Sequence, residues 1–341
     1  MLIDKRVAFL TSVVFSLTLL APAQQYTVTD LGTFPDGSVS QGQAINVVGQ
    51  VAGYARFSIF NAHGFFWTQS TGLVDLGSIP PKTNFSVAEA INSLGDVVGY
   101  SDYNSRTQYS HGVLWRRSKG KFVDLGTLPG GTESQANGIN DLGQITGFSN
   151  GSGHNMHAVL WGKNGGIQDL GALSGGYSQG IAINVSGEVV GFSMTQDGRS
   201  HGFLWNKSTG LRALPYLSPS DTSAAANAVN NLGQIVGGSG NIAVLWQNSE
   251  NHSVESLGTL PGAGWSSAFA ISDVGQVVGW SGFAAFIWTK QTGIVDLNTL
   301  IPSNSGWFLS LPLSINALGQ ITGQGTVNGQ QHGFLLTPTA K

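Results

Sequence analysis

The chain reads as an all-β, seven-bladed β-propeller with four antiparallel strands per blade, its ring closed by the N-terminal strand. Three observations predict this. A signal of the form Ile-Asn-x-x-Gly-Gln-Val-x-Gly recurs seven times at intervals of about 45 residues. A fixed period of that length marks an architecture in which each unit buries its apolar face against the next. Each period holds four short β-prone segments, and the two ends of the chain are complementary fragments of one period.

Residues 1–23 stand apart from the repeats. Lys5 and Arg6 precede the apolar run Val7 to Leu20, and Ala21-Pro22-Ala23 supplies the small residues of a cleavage site. That order of positive, apolar and small residues is a secretory signal peptide. The run of 14 residues is short beside the ~20 that a membrane span needs. Cleavage after Ala23 leaves a mature chain 24–341, read as a single propeller domain that is secreted or extracellular, the periplasm included.

The repeats begin with Ile45-Asn46, Ile91-Asn92, Ile139-Asn140, Ile183-Asn184, Val229-Asn230, Ile271-Ser272 and Ile315-Asn316. In the first, Gln43-Ala44-Ile45 is a strand of small residues. Asn46-Val47-Val48-Gly49 is a type I turn with Gly in the left-handed position, the tight hairpin with a bulge. Gln50 to Tyr54 is a β-branched and aromatic second strand, His63 to Trp67 a third, and Leu73 to Gly77 a fourth. No stretch has helical periodicity. Four strands per period is the pattern of a propeller blade. Tyr26 to Phe34 matches a fourth strand without the first three, and His332 to Leu336 a third strand without a fourth. Joined, they complete a blade and remove two exposed sheet edges.

Composition narrows the function. Only 10% of residues are charged, against ~25% in an average soluble protein, and Gly numbers 49. This suits short strands and tight turns. The absence of Cys excludes disulfides, cysteine–zinc sites and a cysteine nucleophile. A net charge of −3 without a basic block makes nucleic acid a poor partner.

The third strands carry His63-Gly64-Phe65, His111-Gly112-Val113, His157-Ala158-Val159, His201-Gly202-Phe203 and His332-Gly333-Phe334. In this motif the chain resembles the HAF repeat family, a group of extracellular bacterial repeat proteins. The resemblance covers nearly all of the mature chain and departs from it at Ile242 and Ala284. It implies secretion and repetition, and no activity.

Histidines at one repeat position lie on a circle and cannot converge on one ion, whose ligands must approach within ~2–2.5 Å. The expectation is structural: His63 with Asp75, His111 with Asp124, His157 with Asp169, and His332 with Asp30. Trp67, Trp115, Trp161, Trp205, Trp246 and Trp288 end successive third strands and are read as packing between blades. Trp265 and Trp307 differ. They lie between the fourth strand of one blade and the first of the next, as do Phe85 and Tyr177. These connections share a face with the variable loops Ala55–Ala62, Ser101–Ser110, Ser149–Met156 and Ser193–Ser200, and function collects on such loops. Trp265, Trp307, Tyr177 and Phe85 are therefore the candidate ligand-binding residues. Aromatic plugging of the funnel is the competing interpretation.

The acids of that face, Asp36, Asp102, Glu133, Asp197 and Asp221, sit on different blades, whereas a glycosidase needs two carboxylates at a defined separation. No catalytic residue, metal or cofactor is expected. The sequence thus reads as a non-enzymatic, monomeric binding scaffold for a glycan, cell-wall polymer or protein, without a membrane anchor after signal cleavage. The alternatives are an extracellular polysaccharide hydrolase or lyase on the same scaffold, and a purely structural surface or matrix protein.

Overall fold

The repeat motif has a local physical cause, visible in a computed structural model that describes residues 25–58, 61–79, 85–102, 109–153, 155–163, 165–174, 176–248 and 251–339. The expected signal peptide lies outside these residues, as do positions 103–108 of the loop after Ser101. Gly49 N–H donates to Asn46 O at 3.1 Å and Asn46 N–H to Gln50 O at 3.0 Å, and Gly49 has φ of 80°. This is the hairpin that the sequence predicts. The same pair of bonds recurs at Asn92, Asn140, Asn184, Asn230, Ser272 and Asn316.

The last Gly of the motif is required by a β-bulge. The register of the first strand shifts between Ala88 and Ala90, leaving Glu89 as the extra residue, and Gly99 faces the bulge. A Cβ on Gly99 would lie 1.9 Å from Val87 O. The same shift sets off Gln43, Asn137, Ile181, Asn227, Phe269 and Leu313 in the other repeats. Bulges re-aim side chains, and here they do so at one height in every repeat.

The strands form five four-stranded antiparallel sheets, spanning 86–124, 134–171, 177–213, 224–258 and 266–296, and one eight-stranded sheet. The eight-stranded sheet is two stretches, 39–77 and 307–338, joined by the single parallel pair Val39 with Gln331. Its strand Tyr26–Gly32 pairs antiparallel with Gln330–Pro338, Tyr26 opposite Pro338 and Asp30 opposite Phe334. Among the described residues a three-residue 3-10 turn, Leu297–Thr299, is the one helical element.

First strands contact one another in order: Val39–Ile45 touches Ser86–Ile91, and so on to Ser266–Ile271 and Trp307–Ile315, which touches Val39–Ile45 again. The apolar core lies between successive sheets. Trp67, Trp161, Trp205 and Trp246 are buried there, each in its own cluster, and Trp115 and Trp288 pack against two further clusters. The indole N–H of Trp161 reaches Leu125 O at 2.9 Å and that of Trp246 reaches Pro215 O at 2.8 Å. Burying such a ring while satisfying its N–H retains the full apolar gain.

Two polar devices join the sheets, and neither was read from the sequence. Ser86 Oγ accepts from Gly64 N–H at 3.0 Å and donates to Gly77 O. Ser40, Ser134, Ser178 and Ser266 repeat this bridge to the sheet before them. The turn asparagines do more than turn the chain. The Asn140 side-chain oxygen accepts from Leu142 and Gln144 N–H, and its amide donates to Asn184 O in the next sheet at 2.8 Å. Asn46, Asn92, Asn184 and Asn230 likewise donate to the carbonyl of Asn92, Asn140, Asn230 and Ser272. All are buried, so each bond removes the cost of an unpaired polar group.

Candidate ligand-binding site

The first strands surround a central cavity of about 520 Å³. All seven bulge residues, Gln43, Glu89, Asn137, Ile181, Asn227, Phe269 and Leu313, line it, with Gln135, Gln179 and Tyr100. One arc is rich in amides and the arc of Phe269 and Leu313 is apolar. Asn137 is fixed by donating to Gly180 O and Asn227 by donating to Ala268 O, each at 2.8 Å.

Glu89 is the one carboxylate lining this cavity. Its Oε2 accepts from Gln43 Nε2 at 2.8 Å; Gln43 Oε1 accepts from Gln41 Nε2 at 2.8 Å, and Gln41 Oε1 from the Tyr54 hydroxyl at 3.2 Å. The residue is half-buried and borders the cavity, with its carboxyl deep among protein atoms. Burial pushes it up to about 7 against the opposing pull of the Gln43 hydrogen bond. Burial, then the charge of Glu89, raises the neighbouring Tyr100 hydroxyl. Glu89 is not among the residues that the sequence pattern marks. Its only signal was a carboxylate in a strand of small apolar residues, at a position whose bulge was not foreseen.

The candidate aromatics divide. Phe85, Tyr177 and Trp265 immediately precede or begin the first strands, at the end opposite the Asn turns, and each packs on the second-strand aromatic of its own sheet. Phe85 lies 6.1 Å from Tyr100, Tyr177 5.8 Å from Phe192, and Trp265 4.6 Å from Trp280 in an edge-on pair. Phe85 through Tyr100, and Trp265 through Trp280 to Phe269 at 5.9 Å, connect to the cavity wall. All three are half-buried. Trp307 instead meets Phe334 edge-on at 6.2 Å and packs against the core of its sheet. Phe283, 84% exposed and 6.1 Å from Trp265, extends the aromatic surface outward. It occupies a Gly-Phe turn without a core position, which was the overlooked signal.

Among the acids of this face, Asp197 and Asp221 both act on the Tyr216 hydroxyl through their charge. Asp221 accepts from Ser218 N–H and Ser239 Oγ, and Asp197 from Thr195 Oγ and Arg199. Glu133 raises the Tyr177 hydroxyl, after burial, by its charge. Burial raises Asp102, and Asp36 has φ of 64°. Among the described residues no group of three or more His, Cys, Asp or Glu is placed to hold a metal. The four histidine–aspartate pairs form as expected, with Nδ1 2.9–3.0 Å from the carboxylate. The carboxylate also accepts the N–H of Gly32, Gly77, Gly126 or Gly171. Where Ala213 replaces the aspartate, His201 packs on Tyr216 at 4.5 Å. These pairs pin third and fourth strands together.

No family model and no curated protein matches the chain. Solved structures do. Virginiamycin B lyase from Staphylococcus aureus is similar at 14% identity over 92% of this chain and 100% of its own, with a TM-score of 0.60. Oligogalacturonate lyase from Vibrio parahaemolyticus is similar at 11% identity over 93% and 94%, with a TM-score of 0.60. The extracellular domain of BT4673 from B. thetaiotaomicron is similar at 8% identity over 93% of this chain, which spans 40% of that one, with a TM-score of 0.59. No helix among the described residues is long and apolar enough to cross a membrane. At these identities the likeness speaks to the scaffold alone: the chain has a β-propeller fold.

Proposed function

We propose that this is a secreted seven-bladed propeller of the HAF repeat type, sealed by its N-terminal strand, that binds a glycan through the cavity mouth on its loop-bearing face. Support for the blade count comes from seven bulged first strands touching in a circle. Support for the seal comes from the pairing of Tyr26–Gly32 with the last strand and from the His332–Asp30 pair.

The observation that carries the binding reading is the placing of Phe85, Tyr177 and Trp265 at one repeat position above an amide-lined cavity of about 520 Å³. Aromatic faces stack on the C–H faces of sugars, while Gln43, Gln135, Asn137 and Gln179 offer donors and acceptors for hydroxyls. A concave site with apolar walls and a few convergent polar groups is the usual form of a small-ligand site. Glu89 supplies a further acceptor, for a hydroxyl or the amine of an amino sugar.

The test is a binding screen of chain 24–341 against polysaccharides and cell-wall polymers, with Phe85→Ala, Tyr177→Ala and Trp265→Ala alongside. A ligand whose binding falls at least about tenfold in Trp265→Ala, with the melting temperature preserved, supports the reading. Silence across the panel, or binding indifferent to all three variants, overturns it. The lyase reading is favoured by one observation, a Glu89 carboxyl able to accept a proton near neutral pH. Unsaturated product accumulating in the same incubations, and lost in Glu89→Gln, would select it.

A further inference from the structure

The opposite face carries an apolar feature that the fold does not use. The third residue of six of the seven Asn-x-x-Gly turns is aliphatic and more than half exposed: Val48 65%, Leu94 67%, Leu142 56%, Leu232 60%, Val274 67% and Leu318 63%. The remaining turn has Ser186 there, with exposed Val185 beside it. Because these turns end the first strands, the side chains form a crown around the axis, just outside the buried asparagines. The turn does not require them, since its needs are met by Asn at the first position and Gly at the fourth. Single exposed apolar residues call for no explanation, but an in-phase set on one face marks a contact surface.

Cations stand outside the crown, most of them in the hairpin 116–121. The hairpins between third and fourth strands open on this same face: Arg117 N–H donates to Asp96 at 3.1 Å, and Asn248 donates to Leu232 O at 2.8 Å. Lys290 borders a groove of about 570 Å³ with Leu232, Val274 and Leu318, which Glu255 and Asp273 also line. The hairpins carry Arg116, Arg117, Lys119, Lys163, Lys207 and Lys290. Among the described residues none of these pairs with a carboxylate; the Lys/Arg ion pair there is Arg199–Asp197, on the loop-bearing face. The acids of this face, Asp96, Asp141, Asp273, Glu188 and Glu255, each accept a hydrogen bond, from the N–H groups of Arg117, Ser93 and Asn231 and the side-chain amides of Asn184 and Gln247.

We propose that this face docks on a lipid bilayer carrying anionic headgroups, with the aliphatic crown entering the interfacial layer and these cations meeting phosphates. Apolar insertion and charge attraction act together in such binding, neither sufficing alone. The charge pattern selects a lipid surface over a second copy of this chain, because two crowns set face to face would press two sets of cations together. This inference is independent of the glycan reading.

The test is co-sedimentation of chain 24–341, which contains every described strand, with phosphatidylcholine vesicles with and without phosphatidylglycerol. Binding to the anionic vesicles, weakened by salt, is expected. It should fall about tenfold or more in Leu94→Asn/Leu142→Asn/Leu232→Asn, whose substitutions suit a turn and should leave the melting temperature unchanged. Met194→Asn, on the other face, should bind as the parent does. Equal binding to both vesicle types, or undiminished binding by the triple variant, would overturn the proposal. So would a parent that ignores vesicles but dimerises through the crown, becoming monomeric in the triple variant.

Discussion

The side-chain amide of Asn316 donates to the main-chain carbonyl of Asn46 at 3.0 Å, across 270 positions of sequence. It is the same bond that Asn46 makes to Asn92, and Asn140 to Asn184, inside the chain. The first and last repeats thus meet as neighbours do. One link differs: Ser272, whose hydroxyl accepts from Gln276 N–H, has no amide to send onward.

These asparagines should dominate the stability of the turn face. Asn140→Ala leaves Leu142 N–H, Gln144 N–H and Asn184 O short of partners, at an expected cost of roughly 2–3 kcal/mol. Urea denaturation measures it. Asn140→Asp keeps the acceptor but turns an oxygen toward Asn184 O, and should destabilise at neutral pH and recover in acid. A cost within experimental error for Asn140→Ala would make the ring ornamental.

The histidine–aspartate pairs set an acid limit. Burial raises the carboxyls of Asp75 and Asp124, but the hydrogen bonds from His63 and Gly77, and from His111 and Gly126, with the imidazole charges, bring both below the ordinary carboxylate value. A depressed carboxyl stabilises above its unfolded pKa of ~3.9, and that contribution is lost as pH falls through the folded value. The melting temperature should therefore decline below about pH 4. Both carboxylates are about 35–42% exposed, so each pair contributes about 1 kcal/mol or less. His111→Ala should lower the neutral melting temperature, flatten the acid decline and leave ligand binding unchanged. Lost binding with stability intact would make the histidine functional.

Glu89 works in the other sense. Its carboxyl is raised from 4.5 to about 7, so folding becomes less favourable as pH climbs through that interval, by roughly 3 kcal/mol at ~1.36 kcal/mol per unit. Glu89→Gln should be more stable than the parent at pH ~8 and equal to it near pH ~4, as denaturation at the two pH values would reveal. A parent whose stability does not change across the interval would mean a well-hydrated Glu89.

Much of this architecture was legible from residue pattern. The turn at Asn46, the four strands of each repeat and the pairing of His332 with Asp30 follow from periodic chemistry at fixed spacing. The serine bridges of Ser40 and Ser86 and the outward amides of the asparagines were not foreseen, because a repeat records that a residue recurs but not which neighbour it reaches. The bulge hid Glu89 for a related reason: strict alternation would assign its side chain a different direction. Trp307 looked equivalent to Trp265 by position in the connection. A longer first strand, Trp307–Ile315, carries it back onto Phe334.

Both faces depend on the repeats coming round to one axis, so ring closure is the claim to test most directly. The chain has no cysteine, and Thr27 stands opposite Thr337 in the closing pair of strands. Directly opposed residues of antiparallel strands lie ~4.5–5.5 Å apart at Cα, within disulfide range. Oxidised Thr27→Cys/Thr337→Cys should form an intramolecular disulfide in nearly all molecules, visible by non-reducing electrophoresis, and should melt above its reduced form. A protein that stays reduced, or links only between molecules, would contradict the closed ring.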